Sequence, residues 1–311
     1  MAFSVSSLTS YVNQLSTDLL VAAKIHSETA ALATIRTGIK SAEALQLLQT
    51  NPIPQSDSCT FNASGSVTFT QRTLTVKPIK FEDSLCVKDL EAYWTQILLP
   101  GGSQYNESDI PAKIIDDIVE NINKTLEIAD WQGDTTSTNA YLSQFDGLIK
   151  IISNASGVVS PTASTWSVAN ARTIVQSVIA KIPAQLKGDP NVVIVMGYDA
   201  YEDYLNKCNI DNLFRFPAEG GYGQIQAENT IYKIKALHGL DGMAATTGGS
   251  AKGCIFAFKW SNVFLGMDKL KEENVDLMGM DQYHKNVWYN FTFKRGWQVA
   301  YPQEIVMYKN S

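Results

Sequence analysis

The sequence predicts an α+β protein, and three observations predict it. Two long stretches carry apolar residues at helical spacing. Strand-like runs follow them irregularly instead of alternating with helices in β-α-β units. An extended, mostly polar stretch from about Ser58 to Leu85 has no evident core of its own.

The elements are justified in chain order. Leu8, Val12, Leu15, Leu19 and Ala22 or Ala23 recur at helical spacing and predict a helix over residues 7–35. A short helix follows at Ala42–Leu48, and Asn51-Pro52-Ile53-Pro54 stops it and forces extended backbone. In the stretch after Ser58, Val67 and Phe69, then Leu74 and Val76, alternate with polar residues as in a half-buried strand. A two-stranded ribbon is marginal alone in water, so its apolar face needs cover from elsewhere. Because a helix follows, the expected cover is another molecule. Val87–Leu99 reads as a short helix ending at Pro100-Gly101-Gly102.

Ser108, Asp109 and Pro111 open a long helix, expected over 111–132. Ile114, Ile118, Ile122 and Leu126 form its stripe, and Gly133 is expected to cap it. Its acidic residues, Asp116, Asp117, Glu120, Glu127 and Asp130, are expected on the solvated side. A second amphipathic helix is expected from Val168 to Leu186, and Val192–Met196 is a strand buried on both faces. Tyr198–Cys208 is a short helix, and Glu219-Gly220-Gly221-Tyr222-Gly223 an exposed loop. Further strands are expected at Thr230–Leu237, Gly253–Phe258, Asn262–Gly266, Val287–Lys294 and Trp297–Tyr308, the last interrupted by Pro302. The closing pair is expected to return beneath the long helix, making the second half an insertion into the first.

Composition excludes several classes. The chain is 45% hydrophobic and 18% charged, an ordinary globular balance. Its net charge of −6 provides no basic footprint for reading nucleic-acid sequence. No apolar run is long enough to span a membrane, and the N-terminus has no basic region ahead of an apolar one. Cys59, Cys86, Cys208 and Cys254 are far apart and read as reduced thiols.

Chemistry-bearing motifs are absent. His26, His238 and His284 have no second histidine at metal-ligand spacing. There is no nucleophile elbow and no phosphate-binding P-loop, and Gly248–Gly253 reads as a loop between strands. The adjacent carboxylates Asp116/Asp117, Glu202/Asp203 and Glu272/Glu273 point in different directions on exposed faces. The aromatics Trp288, Tyr289, Phe291, Phe293, Trp297 and Tyr301 suit strand packing better than base stacking. No catalytic residue, cofactor or metal site is expected.

The order of parts resembles the major capsid protein of tailed bacteriophages, with its Hong Kong 97-like capsid fold. The resemblance runs from about residue 58 to 311. It rests on the extended stretch, the long helix, the glycine turns Gly133-Asp134 and Gly147-Leu148, the run N-V-V-I-V-M-G-Y-D-A-Y-E-D-Y-L after the second helix, and the closing run with Gly296 and Pro302. It implies an N-terminal arm at 1–57 and an extended β-ribbon loop at 58–90. It also implies a peripheral domain at 91–190 and 285–311, with its spine helix at 111–132, and an inserted axial domain at 191–284. The ribbon residues Val67, Phe69, Arg72, Leu74 and Val76 would contact neighbouring subunits. Gly220, Gly221, Tyr222 and Gly223 would form the axial loop, and Ile114, Ile118, Ile122 and Leu126 the spine core.

The implied function is a shell of hexamers and pentamers, icosahedral or prolate, around packaged double-stranded DNA. It would assemble in the host cytoplasm and reside in the virion. Its partners would be copies of itself, a portal, and scaffold or decoration proteins, with no membrane. The short run before the ribbon implies no built-in scaffolding segment. Lys77 and Lys80 are placed for a subunit cross-link, but no partner or catalytic acid is visible for one. Competing readings are an encapsulin-like nanocompartment shell, an α+β enzyme, and a tail or baseplate subunit.

Overall fold

The structure, a computed structural model, describes residues 28–57, 59–60, 63–86, 109–162, 164–211, 213, 223–228, 230–241, 254–268 and 286–309. The chain begins there with a short helix, α1 (Glu28–Leu32), and a short strand, β1 (Thr34–Arg36). A hairpin follows, made of β2 (Ala42–Pro52) and β3 (Gly65–Thr75). Its register runs from Ala42 opposite Thr75 to Pro52 opposite Gly65. The sequence Ala42–Leu48 is therefore a strand, not the expected short helix. Alanine, glutamate, leucine and glutamine favour a helix locally, but pairing with β3 overrides that preference.

The ribbon also begins earlier than the sequence suggested, because its first strand precedes Ser58. Strand β4 (Lys77–Cys86) does not belong to it. It pairs antiparallel with β10 (Asn286–Val299), from Lys77 opposite Arg295 to Cys86 opposite Asn286. That part of the extended stretch finds its partner within the chain.

The long helix, α2, spans Asp109–Gln132. Its 24 residues make a rod of roughly 36 Å. Ile122 and Leu126 are buried on its inner face, whereas the side chains of Ile114 and Ile118 lie outside the described residues. Two of the acidic residues assigned to solvent are not there: Glu127 is 5% exposed and Asp130 0%. Each has a buried partner on a distant segment. Gly133 does not cap the helix by a left-handed turn. Its amide donates to Ala129 in helical fashion, and its Cα lies against Gly147, whose amide donates to the Gly133 carbonyl at 2.8 Å.

The next helix is α3 (Leu148–Asn154). The expected helix at 168–186 is shorter: α4 spans Ala171–Ala180, and Pro183 separates it from a 3-10 turn at Ala184–Leu186. Strand β5 (Val192–Met196) leads into α5 (Tyr198–Ile210), β6 (Gln224–Gln226) and β7 (Lys233–Ala236). After the 3-10 turn His238–Leu240 come β8 (Ile255–Lys259), β9 (Val263–Gly266), β10 and finally β11 (Val306–Tyr308). The closing strands expected at 287–294 and 297–308 form one unbroken strand to Val299, with Pro302 opening a separate turn before β11. The segments 87–99 and 248–253 lie outside the described residues, and so does residues 7–27 of the first expected helix.

Two sheets organise the body. The larger has the order β11-β8-β5-β7-β6, with β5 and β7 parallel and the other pairs antiparallel. The smaller has the order β1-β9-β10-β4. Along β5, Val195 joins the core beneath α2 with Leu126, Trp131 and Phe256, while Val192, Ile194 and Met196 join the core beneath α4 and α5. One sheet thus serves two cores, one on each face, as a strand with side chains alternating between faces allows. The continuous apolar run Val192–Met196 is buried on both sides, as expected.

Candidate functional site

The ribbon of β2 and β3 projects from this body, and its two faces differ. Residues of even number in β3 share a face with odd-numbered residues of β2, as the register requires. On that face Leu45 and Leu74 are buried at the base with Ile39 and Val76, against Phe264 of β9, and Leu47 is buried as well. The opposite face carries Leu48 beside Phe69, and Thr50 beside Val67. There Leu48 is 52% exposed, Val67 62% and Phe69 74%. Ile53, just past the end of β2, is exposed as well. Apolar side chains thus line the outward face of the arm, with no cover among the described residues.

The five ribbon residues singled out by sequence divide accordingly. Val67 and Phe69 lie on the outward face. Leu74 and Val76 belong to the base, buried against the body at 0% and 4% exposure. Arg72 is half-buried near the base, where its guanidinium donates to Gln298 of β10 at 3.2 Å. Burial lowers its pKa. The switch from odd positions (67 and 69) to even ones (74 and 76) was the sequence signal that these residues occupy different faces.

The base rests on a flat seat. Gly266 of β9 and Gly296 of β10 stand opposite each other in the sheet. A methyl group on Gly296 would run into the carbonyl oxygen of Thr75, and one on Gly266 would come within 2.8 Å of the Val76 side chain. Two facing glycines allow the ribbon to cross the sheet in backbone contact. The Val76 amide donates to the Ser41 carbonyl at 2.9 Å and closes the hairpin at its base, while two bonds fix the hairpin to the body: the Ile39 amide donates to the Met267 carbonyl at 3.0 Å and the Gln298 carboxamide to the Thr73 carbonyl at 2.7 Å.

The seat is tied to α2 through buried charge. Asp130 accepts from Arg295 Nε at 2.6 Å and from its Nη2, and from the Trp297 indole at 2.7 Å. Glu127 accepts from the amide of Thr29 at 3.1 Å and from its hydroxyl, which in turn accepts from the Trp131 indole at 2.6 Å. Gln132 donates to the carbonyls of Gly239 and Asp241. The end of α2 therefore joins the N-terminal segment, the closing strand and the turn after β7. Just beyond it, Lys150 bridges Asp134 and Asp146, at 2.7 Å to each.

Of the axial loop named from sequence, Gly220, Gly221 and Tyr222 lie outside the described residues. Gly223 has a φ of +96° and abuts the Tyr198 ring, which stacks on His238 at 4.2 Å between centroids. Asp203, expected on an exposed face, is 9% exposed and accepts from the Trp166 indole at 3.0 Å. Among the described residues, no group of three or more His, Cys, Asp or Glu could hold a metal ion, and no helix is long and apolar enough to cross a membrane.

No family model matches the sequence, and no curated protein matches it. Solved structures do. A chain of the capsid of an empty GTA particle is 12% identical, covering 92% of this chain and 90% of that one, with a TM-score of 0.59. A chain of Gordonia phage Cozz is 11% identical over 92% of this chain and 86% of that one, with a TM-score of 0.60. A chain of a virus-like particle from Pyrococcus furiosus is 10% identical over 94% and 97%, with a TM-score of 0.53. The architecture is the Hong Kong 97-like capsid fold.

Proposed function

We propose that this chain is the major structural subunit of a tailed-phage capsid. Copies of it associate into hexamers and pentamers and close an icosahedral or prolate shell around packaged double-stranded DNA. One observation carries this reading: on a capsid fold, the ribbon presents Leu48, Val67 and Phe69 to solvent on the face turned away from its own seat. The subunit's body covers the other face only at its base and leaves this one bare, so cover for its apolar side chains comes from another copy.

In this reading residues 42–75 form the extended loop, α2 the spine helix, and the loop ending at Gly223 a meeting point of axial domains. A closed ring repeats each contact at every subunit, so individual contacts can be weak. The net charge of −6 suits a wall that encloses DNA without gripping its sequence. A portal and scaffold or decoration proteins complete the partners, and assembly takes place in the host cytoplasm. The role is structural and requires no catalysis.

The test is electron microscopy of the overexpressed chain, beside a Val67→Asp/Phe69→Asp variant. Closed shells from the first and soluble, folded subunits from the second are expected. Shells from both would remove the ribbon from the argument, and tubes or a lasting monomer would refute the proposal. A second reading keeps the same fold, which the chain also shares with a virus-like particle, but makes the shell a compartment filled with protein. The contents of shells purified from the natural source decide between them: DNA for a capsid, protein cargo for a compartment.

A further inference from the structure

We infer that Gln298 is the residue that sets the angle at which the ribbon leaves the body. The glycine seat permits close approach but supplies no direction, because apolar contact is non-directional. Direction comes from hydrogen bonds, which weaken steeply as they bend. Among the described residues, both side-chain hydrogen bonds between the ribbon strands and the body run through Gln298: Arg72 Nη2 donates to its Oε1 at 3.2 Å, and its Nε2 donates to the Thr73 carbonyl at 2.7 Å.

The carboxamide can sit only one way round. Thr73 offers a carbonyl, which only accepts, so the amide nitrogen must face it. Arg72 and the Val299 amide, 3.0 Å away, only donate, so the oxygen must face them. Gln298 thus grips adjacent ribbon residues at two points while its own backbone is held in β10, opposite Phe264 of β9. Among the described residues Gln298 is the one side chain to which Arg72 donates, and the Arg72 Nε is buried without a partner there. Removing the carboxamide would leave a half-buried cation with nothing to hold it to the seat. The hairpin would stay intact through its own register and stay tethered by the Ile39 amide and by the continuation of the chain into β4, but it would rock on the glycines.

The consequence for assembly rests on the capsid reading: a ribbon at the wrong elevation meets its neighbour at the wrong height and gives misshapen shells or none. The angle itself is a property of one subunit. It is read by electron–electron resonance between spin labels on Cys59, exposed beyond the ribbon, and on Ser156→Cys in the body, in a Cys86→Ser background. Labelled full-length chain is diluted into unlabelled chain, which isolates the distance within a subunit whether or not shells form.

Gln298→Ala is expected to broaden and shift the distance distribution. Gln298→Glu, which still accepts from Arg72 but turns an acceptor toward the Thr73 carbonyl, is expected to keep one of the two points and broaden the distribution less than the alanine variant. A wild-type distribution in Gln298→Ala overturns the inference, and so does a lowered Tm with the distribution unmoved. Should the alanine variant fail to fold, Arg72→Met removes the donor: a broadened distribution supports the assignment and an unchanged one refutes it. A moved distribution with normal shells would leave the angle assignment standing and count against the ribbon's part in assembly.

Discussion

Arg295 and Asp130 lie 165 residues apart in sequence and meet in a doubly hydrogen-bonded pair, 1% and 0% exposed, where the closing strand passes beneath the long helix. Breaking such a pair leaves a charge buried without its partner, at a cost of about 3–5 kcal/mol. Asp130→Ala is therefore expected to lower Tm sharply or prevent folding. The exposed pair Glu120–Lys124, with both side chains 66% exposed, provides the contrast. Lys124→Ala should change stability by no more than about 0.5 kcal/mol. Thermal melts by circular dichroism, compared side by side, check both.

Acid should weaken the subunit through the loop after α2. The hydrogen bond from Lys150, then those from the Thr136 hydroxyl and amide, hold the Asp134 carboxyl at about 2, against an ordinary value of 3.8. For Asp146 burial pulls upward, but the bonds from Lys150 and Thr135 outweigh it and its pKa also falls. Carboxylates with folded values below their unfolded ones stabilise above the ordinary value, and that share is lost as pH falls through the folded value. The Tm advantage of wild type over Lys150→Met should therefore be full at neutral pH and shrink as pH drops from 3.8 to about 2. A constant difference across that window would contradict the assignment.

Trimming the ribbon should separate folding from assembly, provided the cut spares the base. Deleting 66–76 would remove Leu74 and Val76, which are core residues. Removing 48–69 and joining Leu47 to Thr70 through Asn-Gly keeps the base, because those two residues already stand opposite each other and a two-residue turn closes an antiparallel pair. The trimmed chain is expected to melt near the wild-type Tm and to form no shells by electron microscopy.

Gly296→Ala should be more damaging than its single methyl suggests. The new carbon would collide with backbone at Thr75, which cannot rotate away, whereas a Cβ on Gly38 would meet nothing within 4 Å. Forcing extra volume into a packed site costs about 1–3 kcal/mol. A chemical-denaturation midpoint lower for Gly296→Ala than for Gly38→Ala is the expected outcome, even though Gly38 carries the strain of a φ of +86°.

Sequence legibility followed locality. The α2 stripe through Ile122 and Leu126, the buried run Val192–Met196 and α5 are patterns within one element, and they stand where periodicity placed them. The order of parts was enough to suggest the fold. Glu127 and Asp130 were misread because a carboxylate destined for Thr29 or Arg295 looks like one facing water until the fold brings its partner near. Ala42–Leu48 was misread because helical preference is local, whereas strand pairing depends on residues a loop away. For the arm, sequence placed Val67 and Phe69 correctly on an extended strand, but its alternation alone did not reveal that Leu74 belongs to the seat. Gln298 carried no signal at all, since its partners lie 225 and 226 residues away.

The sheet shared by the two cores also limits how this sequence can change length. In β5, neighbouring residues point to opposite sides, so inserting or losing one residue there would turn every following side chain of the strand toward the wrong layer. Point changes can be absorbed by repacking one layer, but a frame shift of that kind disrupts both together. Length variation among homologues should therefore collect in the connections between strands, with the five central positions Val192–Met196 kept free of gaps.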